Sequence, residues 1–369
     1  MTNAVDPRIP VTLLTGFLGS GKTTVLNHLL HRPELADTAV IINEFGEIGI
    51  DHLLVEQVGE NLRVLNSGCL CCTVRGDLID TLRDLDARRE RGEIAAFARV
   101  VIETTGLADP APVLHTLMVD PAVTPRYRLD GVVTTVDAVN GAATLDHHAE
   151  AVKQAAVADR LLLTKTDLVT AAAVDALAAR LVALNPTARI SCVIDGDVVS
   201  GDVLGAEQCD PLLKSADVRA WLAQEAHRAG HRHAHDHSHD HHHHHHDVNR
   251  HDDHIRAHCI VLDAPLQEAA FLHWLDLMAV MRGEKLLRVK GLVQVAERPD
   301  EPLVVHGVQH VFHPPRRLPA WPSADRRTRL VFITRDIAYD EIARTFQQFA
   351  GVRLPAAQPL TPHGALHHD

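Results

Sequence analysis

The 369-residue chain has 36 Lys and Arg residues against 48 Asp and Glu residues, which gives a formal charge of −12. This negative balance argues against nucleic acid as the main partner. The sequence has no apolar run near the roughly 18 residues of a membrane span, and its start lacks a signal-peptide pattern. We therefore expect a cytoplasmic protein without a membrane partner, whose six cysteines serve as thiols or metal ligands rather than disulfides.

The first half of the chain alternates short β-rich runs with helical segments. The predicted strands are 9–15, 39–43, 63–65, 99–103, 131–137, 160–164 and 189–194, and the predicted helices are 22–30, 77–89, 149–158 and 174–184. This alternation is typical of βαβ units and predicts a mostly parallel sheet covered on both faces. We assign residues 1–215 to this α/β domain.

A histidine-rich tract follows, with fifteen histidines between positions 227 and 258 and an unbroken run at 241–246. Its composition cannot bury enough apolar surface to offset the entropy of ordering it, which predicts a flexible linker over 216–257. Neutral imidazoles bind zinc, nickel, cobalt and copper, so the tract could collect or buffer metal.

The C-terminal part has a different pattern. Strands are predicted at 258–263, 286–295, 303–312 and 329–334, with helices at 267–281 and 339–349. The β-α-β-β-β-α order predicts a smaller α+β domain with an antiparallel sheet over 258–352, followed by a disordered tail at 353–369.

A phosphate-binding pattern, GFLGSGKT, begins at Gly16 and joins the first predicted strand to the first predicted helix. Glycines in such a loop let backbone N–H groups converge on phosphate oxygens at a helix N-terminus. Lys22 would reach the β- and γ-phosphates, and the Thr23 hydroxyl would bind magnesium. The pattern predicts a nucleoside triphosphatase.

Two later strand ends complete this prediction. Glu103 ends an apolar strand and can hold magnesium through water, while the Gly106 N–H can sense the γ-phosphate. The segment TKTD from Thr164 follows another apolar strand, and Asp167 there can accept two hydrogen bonds from guanine. The sequence therefore favours GTP over ATP.

A second cluster carries soft metal ligands, namely Cys69, Cys71 and Cys72. Three thiolates in four residues are too close to pair comfortably as disulfides, and they suit zinc, cobalt(II) or copper(I). The fourth ligand could be Glu44 or Glu47, in the acidic loop after the second predicted strand, or a water molecule or a side chain of a client protein. The alternative is a group of buried structural thiols.

These motifs together resemble the CobW-type GTPases, a family of GTP-dependent metallochaperones grouped with the urease and hydrogenase nickel GTPases. The similar segments are GFLGSGKTT from residue 16, INEFGE from 42, GCLCCT from 68, IETTGL from 102 and TKTDL from 164, with LLRVKG from 286 and VQH from 308. One difference is Thr164, where the family more usually has Asn.

The resemblance implies a P-loop GTPase of the SIMIBI class and assigns roles to residues. Those expected to bind GTP are Gly16, Gly19, Ser20, Gly21, Lys22, Thr23, Thr24, Gly106, Lys165 and Asp167. Lys22 and Glu103 would act in catalysis, with Thr23 and Glu103 at the magnesium ion. The three cysteines would bind zinc, with Glu44 or Glu47 nearby.

Three functions follow from these observations. The leading hypothesis is a slow GTPase that couples its GTP and GDP states to zinc transfer to a client metalloprotein, with a homodimer as a possible assembly. A second is delivery of cobalt for cobalamin synthesis, or activation of one metalloenzyme. A third is a non-catalytic metal-storage protein that uses the histidine tract.

Overall fold

Two sheets organise the residues that the computed structural model describes, namely 6–35, 37–43, 64–67, 74–205, 254–352 and 354. Each sheet has its own helices and an apolar core, and Val308 and Val311 of the second sheet also pack into the core of the first. The α/β domain and the α+β domain expected from the sequence are both confirmed.

The first sheet has seven parallel strands in the order β3-β2-β4-β1-β5-β6-β7. The strands are β1 Ile9–Gly16, β2 Thr38–Asn43, β3 Val64–Ser67, β4 Arg99–Glu103, β5 Tyr127–Asp137, β6 Arg160–Thr164 and β7 Arg189–Val193. Strand β1 lies between β4 and β5, with Leu14 paired to both Glu103 and Val133. Because all strands run the same way, their carboxyl ends form one edge, where open parallel sheets bind ligands.

Helices cover both faces of this sheet. They are α1 Lys22–Leu30, α2 Val74–Glu90, α3 Ala111–Val119, α4 Gly141–His147, α5 Ala149–Val157 and α6 Ala171–Leu184. Successive β1 residues alternate between the two cores: Leu13 packs with α2 and α3, whereas Leu14 packs with α1. Helices α3 and α4 were not predicted, since α3 is almost wholly apolar and α4 is only seven residues long.

The second sheet is antiparallel, in the order β11-β10-β9-β13-β8, with β12 paired to β10. Its elements are β8 Ile255–Leu262, α7 Glu268–Arg282, β9 Leu286–Val293, β10 Leu303–Val308, β11 Val311–Phe312, β12 Arg316–Arg317, β13 Thr328–Arg335 and α8 Tyr339–Ala350. Trp274 of α7 is fully buried and packs edge-on against Phe332 and Phe346.

The prediction of one continuous strand over 303–312 is wrong. The chain turns back at Gln309 and His310, so that Val308 pairs with Val311 in a hairpin. Gln309 has a φ of 53°, in the left-handed region that such turns require. That region is usually taken by glycine or asparagine, so the sequence carried no turn signal.

A buried ion cluster joins the two domains. Asp159, between α5 and β6, is paired with Arg288 and Lys290 of β9, and all three side chains are at most 5% exposed. Arg288 Nη1 also donates to the Val157 carbonyl at 2.8 Å. Ala156 packs beside these groups in a small apolar cluster with strands β8, β9 and β13. The cations and the carboxylate compensate one another, which is what makes their burial tolerable.

Two histidines lie close to this ion cluster. The rings of His306 and His313 are 5.0 Å apart between centroids. Burial, reinforced by the positive charge of Arg288, lowers the pKa of His313 to about 4 and that of His306 well below its usual range. Both imidazoles are therefore neutral in the folded protein at ordinary pH.

The described structure stops at Gly205 and resumes at His254, and a carboxylate contacts each of these two residues. The Gly205 N–H donates to Asp130 Oδ2 at 2.7 Å, and His254 Nδ1 lies 2.5 Å from Asp336 Oδ1. Much of the histidine-rich tract lies within this stretch and so outside the described residues. Among the helices that the structure describes, none has the length and apolarity to cross a membrane.

We expect the folded state to lose stability as the pH falls from 7 to 5. The unfolded chain binds a proton at His306 and at His313 near the ordinary pKa of about 6.5, whereas the folded chain leaves both neutral. The loss is roughly 1–2 kcal/mol for each histidine. Urea unfolding at the two pH values measures it.

The double variant His306→Gln with His313→Gln should show a weaker dependence on pH over this range. The control is the same change at His147 and His273, whose side chains are exposed. A double variant with the full wild-type dependence would contradict the assignment.

Candidate nucleotide-binding site

The loop between β1 and α1 has the backbone geometry of a phosphate cradle. Gly16, Gly19 and Gly21 have φ values of 143°, 69° and 88°, which favour glycine. A Cβ on Gly16 would lie 2.3 Å from Thr135 Oγ1, so this position also tolerates no side chain. Gly21 forms the N-cap of α1, and no described side chain caps that helix. The first N–H groups of a helix have no partner within the helix, which is why a helix N-terminus can bind an anion.

Lys22 and Ser20 hold the loop in this shape. Lys22 is 8% exposed, and its ammonium donates to the carbonyl oxygens of Gly16 at 2.9 Å and Phe17 at 3.1 Å. The Ser20 hydroxyl lies 2.6 Å from Thr135 Oγ1 on β5. The lysine thus lies over the loop, where its charge can meet a phosphate.

The two predicted magnesium ligands, Thr23 of α1 and Glu103 of β4, contact each other. Thr23 Oγ1 at the start of α1 donates to Glu103 Oε1 at 2.9 Å. Glu103 ends β4 and is 2% exposed. A hydroxyl and a carboxylate are the oxygen ligands that magnesium prefers beside a phosphate.

The segment after Glu103 touches the phosphate loop directly. Thr104 donates its hydroxyl to Thr15 Oγ1 at 2.8 Å. A Cβ on Gly106 would lie 2.5 Å from the Leu18 nitrogen. Only a glycine can approach the loop backbone so closely, which places the Gly106 backbone beside the loop.

The TKTD segment contacts the other side of the loop. Lys165 has a left-handed φ of 58°, and its ammonium donates to Gly19 O at 2.9 Å. Thr164 Oγ1 donates to Ser20 O at 2.8 Å, so the residue that departs from the usual asparagine still braces the loop. Asp167 is exposed in the short helical turn Thr166–Leu168 that follows.

Asp137, which the sequence reasoning missed, fixes Lys165. Its Oδ2 accepts from the Lys165 ammonium at 2.8 Å and from the Asn140 side chain at 3.0 Å, while Oδ1 accepts from the Val139 N–H at 2.7 Å. Burial opposes its ionisation, but the lysine charge and these donors hold the pKa of Asp137 below its ordinary value. The signal was available, since β5 ends in a carboxylate just as β4 ends in Glu103.

The predicted metal ligands lie outside the described residues. These are Glu44, Glu47, Cys69, Cys71 and Cys72. Within the described ranges, no three His, Cys, Asp or Glu side chains are grouped so as to hold a metal ion. Strands β2 and β3 are nevertheless described up to Asn43 and Ser67, which pair with each other.

Comparison with known proteins identifies two matching regions. A family model described as the CobW/HypB/UreG nucleotide-binding domain matches residues 10–191, and one described as the cobalamin synthesis protein cobW C-terminal domain matches residues 255–350. The zinc chaperone YjiA of Escherichia coli (strain K12) is 32% identical over 345 residues, which span 94% of this chain and 99% of that protein. The zinc chaperone CobW of a Sinorhizobium species is 30% identical, over 88% and 92% of the two chains. The crystal structure of Zn(II)-bound YjiA GTPase superposes with a TM-score of 0.67 at 29% identity, covering 93% of this chain and 99% of that one.

We expect Asp137→Asn to weaken guanine-nucleotide binding about five- to tenfold, because it removes the charge that holds Lys165 against the loop. Fluorescent GDP titration would measure this. The control is Asp300→Asn, which disrupts an exposed ion pair with Arg326 far from the loop. Equal GDP affinity in the two variants would rule out this role for Asp137.

Proposed function

The chain belongs to the CobW/HypB/UreG family, and on that premise we propose that it couples GTP hydrolysis to the transfer of zinc to a client metalloprotein. The chain is a P-loop GTPase: the family match, the seven-stranded parallel sheet and the loop after β1 agree on this. The finer parts of the proposal are the roles of individual residues, the metal and the client.

The nucleotide chemistry rests on Lys22, Thr23 and Glu103. Lys22 would release its two loop carbonyls to bind the β- and γ-phosphates. Thr23 and Glu103 lie 2.9 Å apart and would hold magnesium, the Thr23 hydroxyl directly and the Glu103 carboxylate through water. A magnesium ion held there would supply positive charge beside the phosphates.

Guanine would be held on the TKTD side of the loop. Lys165 is already placed by Asp137 and Gly19 O, so its stem can lie along the base. Asp167, two residues later, would accept two hydrogen bonds from guanine that adenine cannot offer. This supports GTP as the substrate.

Zinc as cargo is supported by the relatives. Two proteins that match most of this chain are named zinc chaperones. Three thiolates at Cys69, Cys71 and Cys72 suit zinc in tetrahedral geometry. Such thiols need a reducing compartment, which favours action in the cytoplasm.

The observation that carries the coupling is the shared edge of the sheet. The thiol cluster begins two residues after Ser67, the last residue of β3. Only β2 and β4 separate β3 from β1, so the end of β3 lies roughly 15 Å from the phosphate loop at about 5 Å per strand. The chain between β2 and β3 carries Glu44 and Glu47 and starts at the same edge.

Nucleotide and metal would therefore act on one stretch of chain. If GTP changes zinc affinity by some factor, zinc must change GTP affinity by the same factor. We propose the division 1–215 for the GTPase domain, a histidine-rich reservoir from 216, a C-terminal domain up to 352 and a tail at 353–369. The reservoir ends before strand β8, which begins at Ile255 rather than after the expected boundary at 257.

The test replaces Cys69, Cys71 and Cys72 with Ser in a chain that lacks residues 231–246. We expect the loss of about one tightly bound zinc per chain, because three of its four ligands are removed. Zinc competition with a chelator, run with GDP and with a non-hydrolysable GTP analogue, measures the stoichiometry and the coupling.

The matched control replaces Cys192 and Cys259, which lie in strands β7 and β8. The proposal would be wrong if the triple variant kept both its zinc and the dependence of zinc affinity on nucleotide. Competition by cobalt in the same assay distinguishes zinc transfer from cobalt delivery.

A further inference from the structure

Helix α5 contacts the nucleotide edge on one side and the C-terminal domain on the other. Its residues Lys153 and Gln154 reach the segment that follows Glu103. Its last residues, Ala156 and Val157, contact the C-terminal domain. None of these residues belongs to a nucleotide motif.

Gln154 is fully buried and holds the backbone next to Gly106. Its side-chain nitrogen donates to Gly106 O at 3.1 Å and to Ala108 O at 3.0 Å. The opposite amide orientation would put an oxygen against two carbonyl oxygens, so the hydrogen-bond network fixes the assignment. The Gln154 carbonyl in turn accepts from the Thr134 hydroxyl of β5 at 2.9 Å.

Lys153 secures the same segment one residue further along. Its ammonium donates to Asp109 Oδ2 at 2.7 Å, and Asp109 Oδ1 accepts from the Ala111 N–H at the start of α3. The segment 106–109 is thus attached to α5 at three points, two on its backbone and one on the Asp109 side chain. Because a Cβ on Gly106 would overlap the Leu18 nitrogen, movement of this segment changes its distance from the phosphate loop.

The far end of α5 is equally constrained. Asn185 donates to three carbonyl oxygens there, those of Ala155, Ala156 and Ala158, at 2.9 to 3.1 Å. Arg288 of β9 binds the Val157 carbonyl and the Asp159 carboxylate. From Gln154 to Val157 the helix rises about 4.5 Å, too short a span to flex.

We propose that Gln154 is a positioning residue for GTP hydrolysis, and that α5 transmits the position of residues 106–108 to strand β9 of the C-terminal domain. The inference rests on the proposed nucleotide site, in which the Gly106 N–H faces the γ-phosphate. GDP lacks that phosphate, so the contact distinguishes the two nucleotide states. If GTP changes the conformational equilibrium of the C-terminal domain by some factor, that conformational change must alter GTP affinity by the same factor.

Gln154→Met removes the donors at nearly constant volume. We expect GDP affinity within twofold of wild type, but single-turnover GTP hydrolysis and affinity for a GTP analogue reduced about tenfold, because the two carbonyls are no longer held. Gln347→Met, an exposed glutamine in α8, is the matched control. Hydrogen exchange of a peptide covering 286–293 should differ between GDP and analogue in the wild type and lose that difference in Gln154→Met.

If Gln154→Met does not fold, Lys153→Met tests the same attachment of the 106–109 segment. Lys153 is 21% exposed, and its loss should lower hydrolysis two- to threefold with GDP affinity unchanged. Equal losses of GDP and analogue binding would show a merely structural role and overturn the proposal, as would wild-type hydrolysis in the variants. Identical exchange of 286–293 in both nucleotide states of the wild type would overturn the transmission. A wild-type chain that failed to hydrolyse GTP would instead contradict the proposed function.

Discussion

The phosphate loop is held in shape by the strand ends on either side of it. Strand β5 contacts it through Thr135, β6 through Thr164, and the segment after β4 through Gly106. These contacts exist because β1 is flanked by β4 and β5 in a parallel sheet, which brings the carboxyl ends of the strands to one edge. Loop shape is therefore a property of the whole sheet rather than of the glycine pattern alone.

The same arrangement explains which residues local sequence could reveal. Lys22 and Thr23 were predicted from the phosphate-binding pattern, and Glu103 from its place at the end of an apolar strand. Asp137 followed the same rule, and applying the rule to every strand would have found it. Gln154 obeys no such rule, because its role depends on carbonyls 46 and 48 residues away.

The fold itself was predictable where periodicity was strong. The alternation of β-rich and helical runs gave the parallel sheet, and the C-terminal pattern gave an antiparallel one. The strand prediction failed at Gln309, where tertiary packing imposes a left-handed turn on a residue that rarely initiates one. The thiol cluster, Glu44 and Glu47 remain predictions, since they lie outside the described residues.

The residues on either side of the 206–253 stretch are held by the folded domains, which limits how far the stretch can reach. These 48 residues leave the body at Gly205 and return at His254, both tied to carboxylates of the folded domains. No imidazole between them can travel farther than about 85 Å from a fixed point, given about 3.5 Å per residue from the nearer end. Each of these tethered imidazoles is confined to a volume that corresponds to roughly millimolar concentration around the folded domains. A side chain on this stretch would therefore meet a site on its own chain far more often than a site on a neighbour in a dilute cell extract.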